Sequence, residues 1–104
     1  MKALLITPNG IVSDVTFNNL DDLQCYVGGY IQGFAFRNGF AYINEEGKLK
    51  GMLLNTYATT VAHEYGAISA DDYIVGNMLI VGKTVDGNET DVPQNLVEEI
   101  RAKI

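Results

Sequence analysis

The chain has a single cysteine, Cys25, and a single histidine, His63. One thiol forms no intramolecular disulfide, and one thiol with one imidazole builds no thiolate cluster, so the sequence predicts a reducing compartment and no metal. Long apolar runs are missing as well. None approaches the roughly 20 residues that a membrane helix needs, and the start Met1-Lys2 is not followed by a signal-peptide core of adequate length. The expectation is a soluble, cytoplasmic protein with no membrane partner. Positive charge is scarce: seven Lys and Arg stand against thirteen Asp and Glu, a formal net charge of −6. That balance repels phosphate backbones and argues against a sequence-general DNA or RNA binder. It fits plain solubility, a basic protein partner, or mimicry of nucleic-acid charge. Nucleotide fingerprints are absent too. Glu46-Gly47-Lys48-Leu49-Lys50-Gly51 is no P-loop and no G-x-G-x-x-G occurs, so ATP hydrolysis and dinucleotide redox chemistry have no support, and no cofactor is expected.

What is present is a chain of 104 residues with 47% apolar content, enough for one hydrophobic core and too short for two domains of ordinary size. Residues 1–104 are read as one α+β domain without repeat, low-complexity tract or linker. Lys2 to Thr7 and Ile11 to Phe17 flank Pro8-Asn9-Gly10 and predict a hairpin. With Asn9-Gly10 as its two loop residues, Leu4, Ile6, Ile11, Val15 and Phe17 share a core face. Ile31 to Arg37 and Phe40 to Asn44 flank Asn38-Gly39 and predict a second hairpin, with Phe34, Phe36, Ala41 and Ile43 on the core face. Ala35, Arg37, Phe40, Tyr42 and Asn44 then lie on the other. Tyr73 to Gly82 is an apolar run typical of a central strand covered on both sides, bent at Gly76-Asn77.

Helices are expected near 19–28, 56–65 and 93–103, covering a mostly antiparallel sheet of two hairpins plus one further strand. Asn18 or Asn19 caps the first, Leu20, Leu23, Tyr26 and Val27 form its stripe, and Gly28-Gly29 ends it. Cys25 beside that stripe reads as a buried structural thiol. Asn55 caps the second helix and Gly66 closes it. Pro93 opens the third at its first helical position, with Leu96, Val97, Ile100 and Ile104 as the apolar stripe.

Catalytic chemistry has little to work with. His63 and the adjacent Glu64 point in different directions on a helix, and no second histidine or cysteine completes a nucleophilic or metal site. Glu45-Glu46 could act as acids, but a solvated turn carries such carboxylates without chemistry. The more specific arrangement lies in Asn44 to Thr60. Arg37, Lys48 and Lys50 lie just before a helix whose first turn offers the free N–H groups of Thr56, Tyr57 and Ala58 beyond Asn55, with the hydroxyls of Thr59 and Thr60 behind them. Helix starts with nearby cations and hydroxyls bind anions. Phe40, Tyr42 and Tyr57 add flat surfaces on which a base could stack, so Arg37, Tyr42, Asn44, Lys48, Lys50, Asn55, Thr56, Tyr57, Thr59 and Thr60 form a candidate site for a small nucleotide.

Several of these segments also carry a likeness. Met1-Lys2-Ala3-Leu4-Leu5-Ile6 with Pro8-Asn9-Gly10, then Val27-Gly28-Gly29-Tyr30-Ile31, form the first part of it. Asn44-Glu45-Glu46-Gly47-Lys48-Leu49 with Gly51, Asn55, Ala58 and Thr59, and Asp72 with Ile74-Val75-Gly76, complete it. Together they resemble the domain of unknown function family 3846 over most of the chain up to Gly82. The resemblance implies small proteins carried by phages, plasmids and their bacterial hosts, with no agreed biochemical activity. Joined to the candidate anion site, it gives the first expectation: a non-enzymatic binding protein that counteracts a host defence by sequestering a small nucleotide signal. A second is an acidic inhibitor or adaptor whose surfaces at Asp86 to Asp91 and Glu98-Glu99 meet a basic host protein or nuclease. A third is a weak nucleotide enzyme using Glu45, Glu46 or His63. The aromatic content also allows a homodimer or higher oligomer.

Overall fold

The two predicted hairpins and the central apolar run supply five strands in the computed structural model, which describes residues 1–103. Among the described residues the order is β1 (Lys2–Ile6), β2 (Val12–Thr16), α1 (Leu20–Val27), β3 (Ile31–Phe36), β4 (Gly39–Asn44), α2 (Thr56–Glu64), β5 (Met78–Gly82) and α3 (Gln94–Arg101). The strands form one antiparallel sheet in the order β2-β1-β5-β4-β3. This is the α+β architecture of two hairpins and an added strand, with the added strand at the centre.

Every residue of β5 is buried, because alternate side chains serve two cores. Met78 and Ile80 meet α2 and α3 among Leu4, Ile6, Phe36, Val61, Leu96 and Ile100. Leu79 and Val81 meet α1 among Ala3, Phe17, Leu23, Val27 and Tyr42. The period-2 geometry of a strand thus explains why an uninterrupted apolar run is needed here. The strand is shorter than the run: Gly76 at φ 70° turns the chain, and Tyr73 to Val75 lie outside it. The helix ends follow local chemistry. Asn19 accepts from the Asp22 N–H at 2.9 Å while Asp22 accepts from the Asn18 N–H at 2.7 Å, a reciprocal cap, and Gly28 at φ 81° closes α1.

Several sequence expectations need correction. The first hairpin pairs Ile6 with Val12 and Ala3 with Val15, one residue away from a two-residue Asn9-Gly10 loop. Only Gly10 takes a positive φ there, 83°, whereas a primed turn needs one at Asn9 too. A one-residue slip reverses faces. Val15 and Phe17 therefore join the α1 core, and Ile11 is 54% exposed. In the second hairpin Arg37 at φ 55° and Asn38 form the loop, with Phe36 paired to Gly39. That slip is two residues, so the predicted faces survive. The face with Tyr42 and Asn44 is nevertheless core as well, because α1 covers it. Cys25 is exposed rather than buried, lying off the Leu23–Val27 stripe. Pro93 is the residue preceding α3, with extended ψ 132°, instead of its first helical residue. Ile104 lies outside the described residues. The acidic Val85 to Asp91 loop contains a tight Val85-Asp86-Gly87-Asn88 turn, with Asp86 at φ 50° and Gly87 at φ 78°.

The register separates two substitutions. Phe17→Ala should destabilise by about 3–5 kcal/mol, the usual cost of emptying a buried phenylalanine site. Ile11→Asp should stay within about 0.5 kcal/mol of the parent, as expected for an exposed position. Urea midpoints of both variants check this, and a large loss for Ile11→Asp would restore the two-residue loop.

Candidate functional site

The stretch between β4 and α2 folds as a tight, mostly exposed ridge. Met52 N–H donates to Gly47 O at 3.0 Å and Lys50 N–H to Glu46 O at 2.9 Å, after which Gly51 at φ 68° lets the chain leave the turn. Gly47 is needed where the ridge meets the body, since a Cβ there would stand 2.9 Å from Val75 Cγ2. Beyond the ridge, Gly76 N–H donates to Leu53 O and Asn55 N–H to Ile74 O, both at 2.8 Å, pinning 53–55 along 74–76.

Asn55 is the fastening point and is fully buried. Its Nδ2 donates to Ile6 O at 3.0 Å and Gly76 O at 2.9 Å, while its Oδ1 accepts from Ala58 N–H at 3.0 Å. Three segments distant in sequence are held by one amide whose hydrogen-bonding capacity is largely used.

On one side of the ridge lies an open groove of ≈ 690 Å³. Lys48, Met52 and Leu54 form one wall, Thr56, Thr60 and His63 the α2 wall, and Asp71, Asp72 and Tyr73 the third. Lys48 pairs with Asp72 and sits 4.3 Å from the centroid of the Tyr73 ring. The Lys48 ammonium holds the Asp72 carboxyl below its usual range, helped by the Tyr73 backbone N–H. The tie is therefore kept above the ordinary carboxylate range and lost as pH falls through that lowered value. Both side chains are about half exposed, so solvent screening limits the pair to about 0.2–1 kcal/mol of stability. His63 Nε2 donates to Asp72 O at 2.8 Å, which leaves that nitrogen no lone pair for base chemistry. Thr59 Oγ1 donates to Asn55 O at 2.8 Å and accepts from Ile74 N–H at 2.9 Å, while Thr60 Oγ1 donates to Thr56 O at 2.9 Å.

Of the predicted site residues, Lys48, Thr56, Thr59 and Thr60 meet at this groove. The others are dispersed. Arg37 lies at the β3–β4 turn, paired with Glu99 at 2.8 Å and stacked over Tyr65. Tyr42 donates to Glu89 at 2.6 Å beneath α1, and burial raises its pKa. Asn44 is a buried clamp, donating to Val27 O at 3.1 Å and accepting from Glu46 N–H at 2.8 Å. Lys50 faces Glu46 at 3.6 Å, and Tyr57 donates to Ile100 O at 2.7 Å in the core between α2 and α3. The helix start itself retains the N–H groups of Thr56 and Tyr57 without a protein acceptor among the described residues, whereas those of Ala58 and Thr59 are taken by Asn55.

Sequence reasoning missed the apolar crest. Leu49 is 88% exposed, Leu53 75% and Leu54 53%, with Tyr73 at 45% across the groove. Leu53 overlooks a second groove of ≈ 300 Å³, lined also by Pro8, Cys25 and Tyr26. The available signal was three leucines among glycines and lysines with no helical or strand period to bury them.

The family model described as Domain of unknown function (DUF3846) matches residues 1–104, the whole chain. The chain belongs to the DUF3846 family. No curated protein and no solved structure matches it. For this DUF3846 protein no helix among the described residues is long and apolar enough to cross a membrane.

Asn55→Ala should cost about 3 kcal/mol or more. It removes a helix cap worth about 1 kcal/mol and leaves two buried carbonyls short of a donor at about 1–3 kcal/mol each. Asn55→Asp should be at least as damaging at neutral pH, with the deficit shrinking in acid as the carboxyl regains a proton to donate. Denaturant unfolding across pH checks both.

Proposed function

We propose that this chain is a non-enzymatic binding protein whose working surface is the 48–54 ridge and its flanking grooves, and that its occupant is a basic, partly apolar host protein. The observation that carries this reading is the crest of Leu49, Leu53 and Leu54, exposed beside an open groove rimmed by Asp71 and Asp72. Exposed leucines beside an acidic rim are the composition of a docking surface, since apolar contact gives affinity and complementary charge gives orientation and on-rate. The overall charge of −6 acts in the same sense. Binding rather than turnover fits the local chemistry, because the Thr59 hydroxyl is already occupied by main-chain partners and the chain has no second histidine to complete a site with His63. In the phage and plasmid setting that the family resemblance implies, such a protein counteracts a host defence by occupying a defence protein or nuclease.

A second reading, sequestration of a small nucleotide in the same groove, is favoured by the free N–H groups of Thr56 and Tyr57 beside Lys48 and Thr60. It ranks lower because a phosphate there also meets Asp71 and Asp72, and Lys48 is already paired.

Two experiments separate these readings. The protein partner should co-purify, be released as salt rises, and be lost from the Leu49→Asp/Leu53→Asp variant while its melting temperature is unchanged. Retention by that variant would end the docking proposal. Calorimetry with cyclic and NAD-derived nucleotides tests the other reading. Any binding should weaken by about 1–3 kcal/mol in Lys48→Ala, the range for a charged hydrogen bond, and uniform absence of heat removes sequestration.

A further inference from the structure

The two edges of the sheet are treated differently. In β2 the register turns the backbone groups of Val12, Asp14 and Thr16 outward, since Met1 and Phe17 exchange bonds on the inner side. Side chains occupy that edge: Tyr26 Oη donates to Thr16 O at 2.7 Å and Arg101 Nη1 to Val12 O at 3.5 Å, with Arg101 also paired to Asp14 at 3.1 Å. In β3, Glu45 N–H donates to Tyr30 O at 2.9 Å, so the even residues Gln32, Phe34 and Phe36 bond inward to β4. Ile31, Gly33 and Ala35 then turn N–H and C=O outward. Among the described residues nothing accepts from or donates to them.

This open edge also lacks the usual guards. β3 contains no proline, lysine or bulge, and no charged residue occurs between Asp22 and Arg37. Natural sheets blunt free edges with such devices. We infer that β3 pairs with β3 of a second copy, antiparallel about a twofold axis at Gly33, joining two five-stranded sheets into one.

The second copy is the occupant because the strand complements itself. With Gly33 opposite Gly33, Ile31 of each copy faces Ala35 of the other, and the three outward residues of each strand exchange hydrogen bonds in register. Large faces small, and Gln32 stands opposite Phe34. Charge selects the same place, since two copies of net charge −6 repel least where an uncharged strip meets its equal. Phe40 leans over Gly33, where a Cβ would come within 2.4 Å of its ring, so the half-buried ring lies near the axis and gains cover from the pairing.

Sedimentation equilibrium tests the pairing. The parent should approach twice the chain mass of 11.4 kDa as concentration rises. Ala35→Pro removes an outward N–H and no inward bond, so it should keep cooperative unfolding and sediment at the single-chain mass. If proline disturbs the strand, Ala35→Lys makes the same test by placing a charge at the edge. Hydrogen exchange gives the register: the amides of Ile31, Gly33 and Ala35 should gain protection with concentration, while those of Gln32, Phe34 and Phe36 are protected throughout. A parent that stays monomeric at every concentration, or a dimer that survives both folded variants, overturns the inference.

Discussion

The buried amide of Asn55 is the constraint on which the rest of this structure depends. Strand β1, the turn at Gly76 and the start of α2 have little reason to meet on sequence grounds. One side chain supplies two donors to the carbonyls of Ile6 and Gly76 and one acceptor to the N–H of Ala58. A polar group at zero exposure is tolerated only when its partners are present, so the three segments are held in one arrangement or the core loses several hydrogen bonds at once. The exposed ion pairs are minor beside it.

That fastening point anchors the base of the ridge while its crest stays apolar. Residues 53–55 run along 74–76 through backbone bonds, and Gly47 and Gly51 permit the close approach and sharp exit the ridge requires. The N–H groups of Gly47, Lys50, Gly51 and Met52 bond within the turn, so it holds its shape while the leucine side chains stand in solvent. Backbone hydrogen bonds are concentrated at the base of the ridge and exposed apolar side chains at its crest.

Much of the architecture was legible because each element carries its own signal. Asn19 and Asn55 cap helices since their short amides reach a first-turn N–H, and the apolar run at Met78–Gly82 is central since both its faces are covered. The first hairpin was misread by one residue because Pro8-Asn9-Gly10 admits more than one loop length, and only the packed cores choose between them. Cys25 was misread because adjacency to an apolar stripe is not membership of it. The candidate site was legible as a region and not as a constellation: Lys48, Thr56, Thr59 and Thr60 converge, while Arg37, Tyr42, Asn44 and Tyr57 are drawn to other partners.

The sequence by itself determined the α+β class, the asparagine caps of the first two helices, the central strand and the acidic charge, because propensity, periodicity and net charge are properties of neighbouring residues or of simple sums. Tertiary structure alone decided which cations remain near the groove and which are neutralised by a carboxylate from elsewhere, as with Arg37 and Glu99. It also decided that one sheet edge is covered by Tyr26 and Arg101 while the other stays open, and that three leucines face water. These outcomes depend on which distant groups compete for the same hydrogen bond, charge or cavity, and that competition is settled only when the chain is folded.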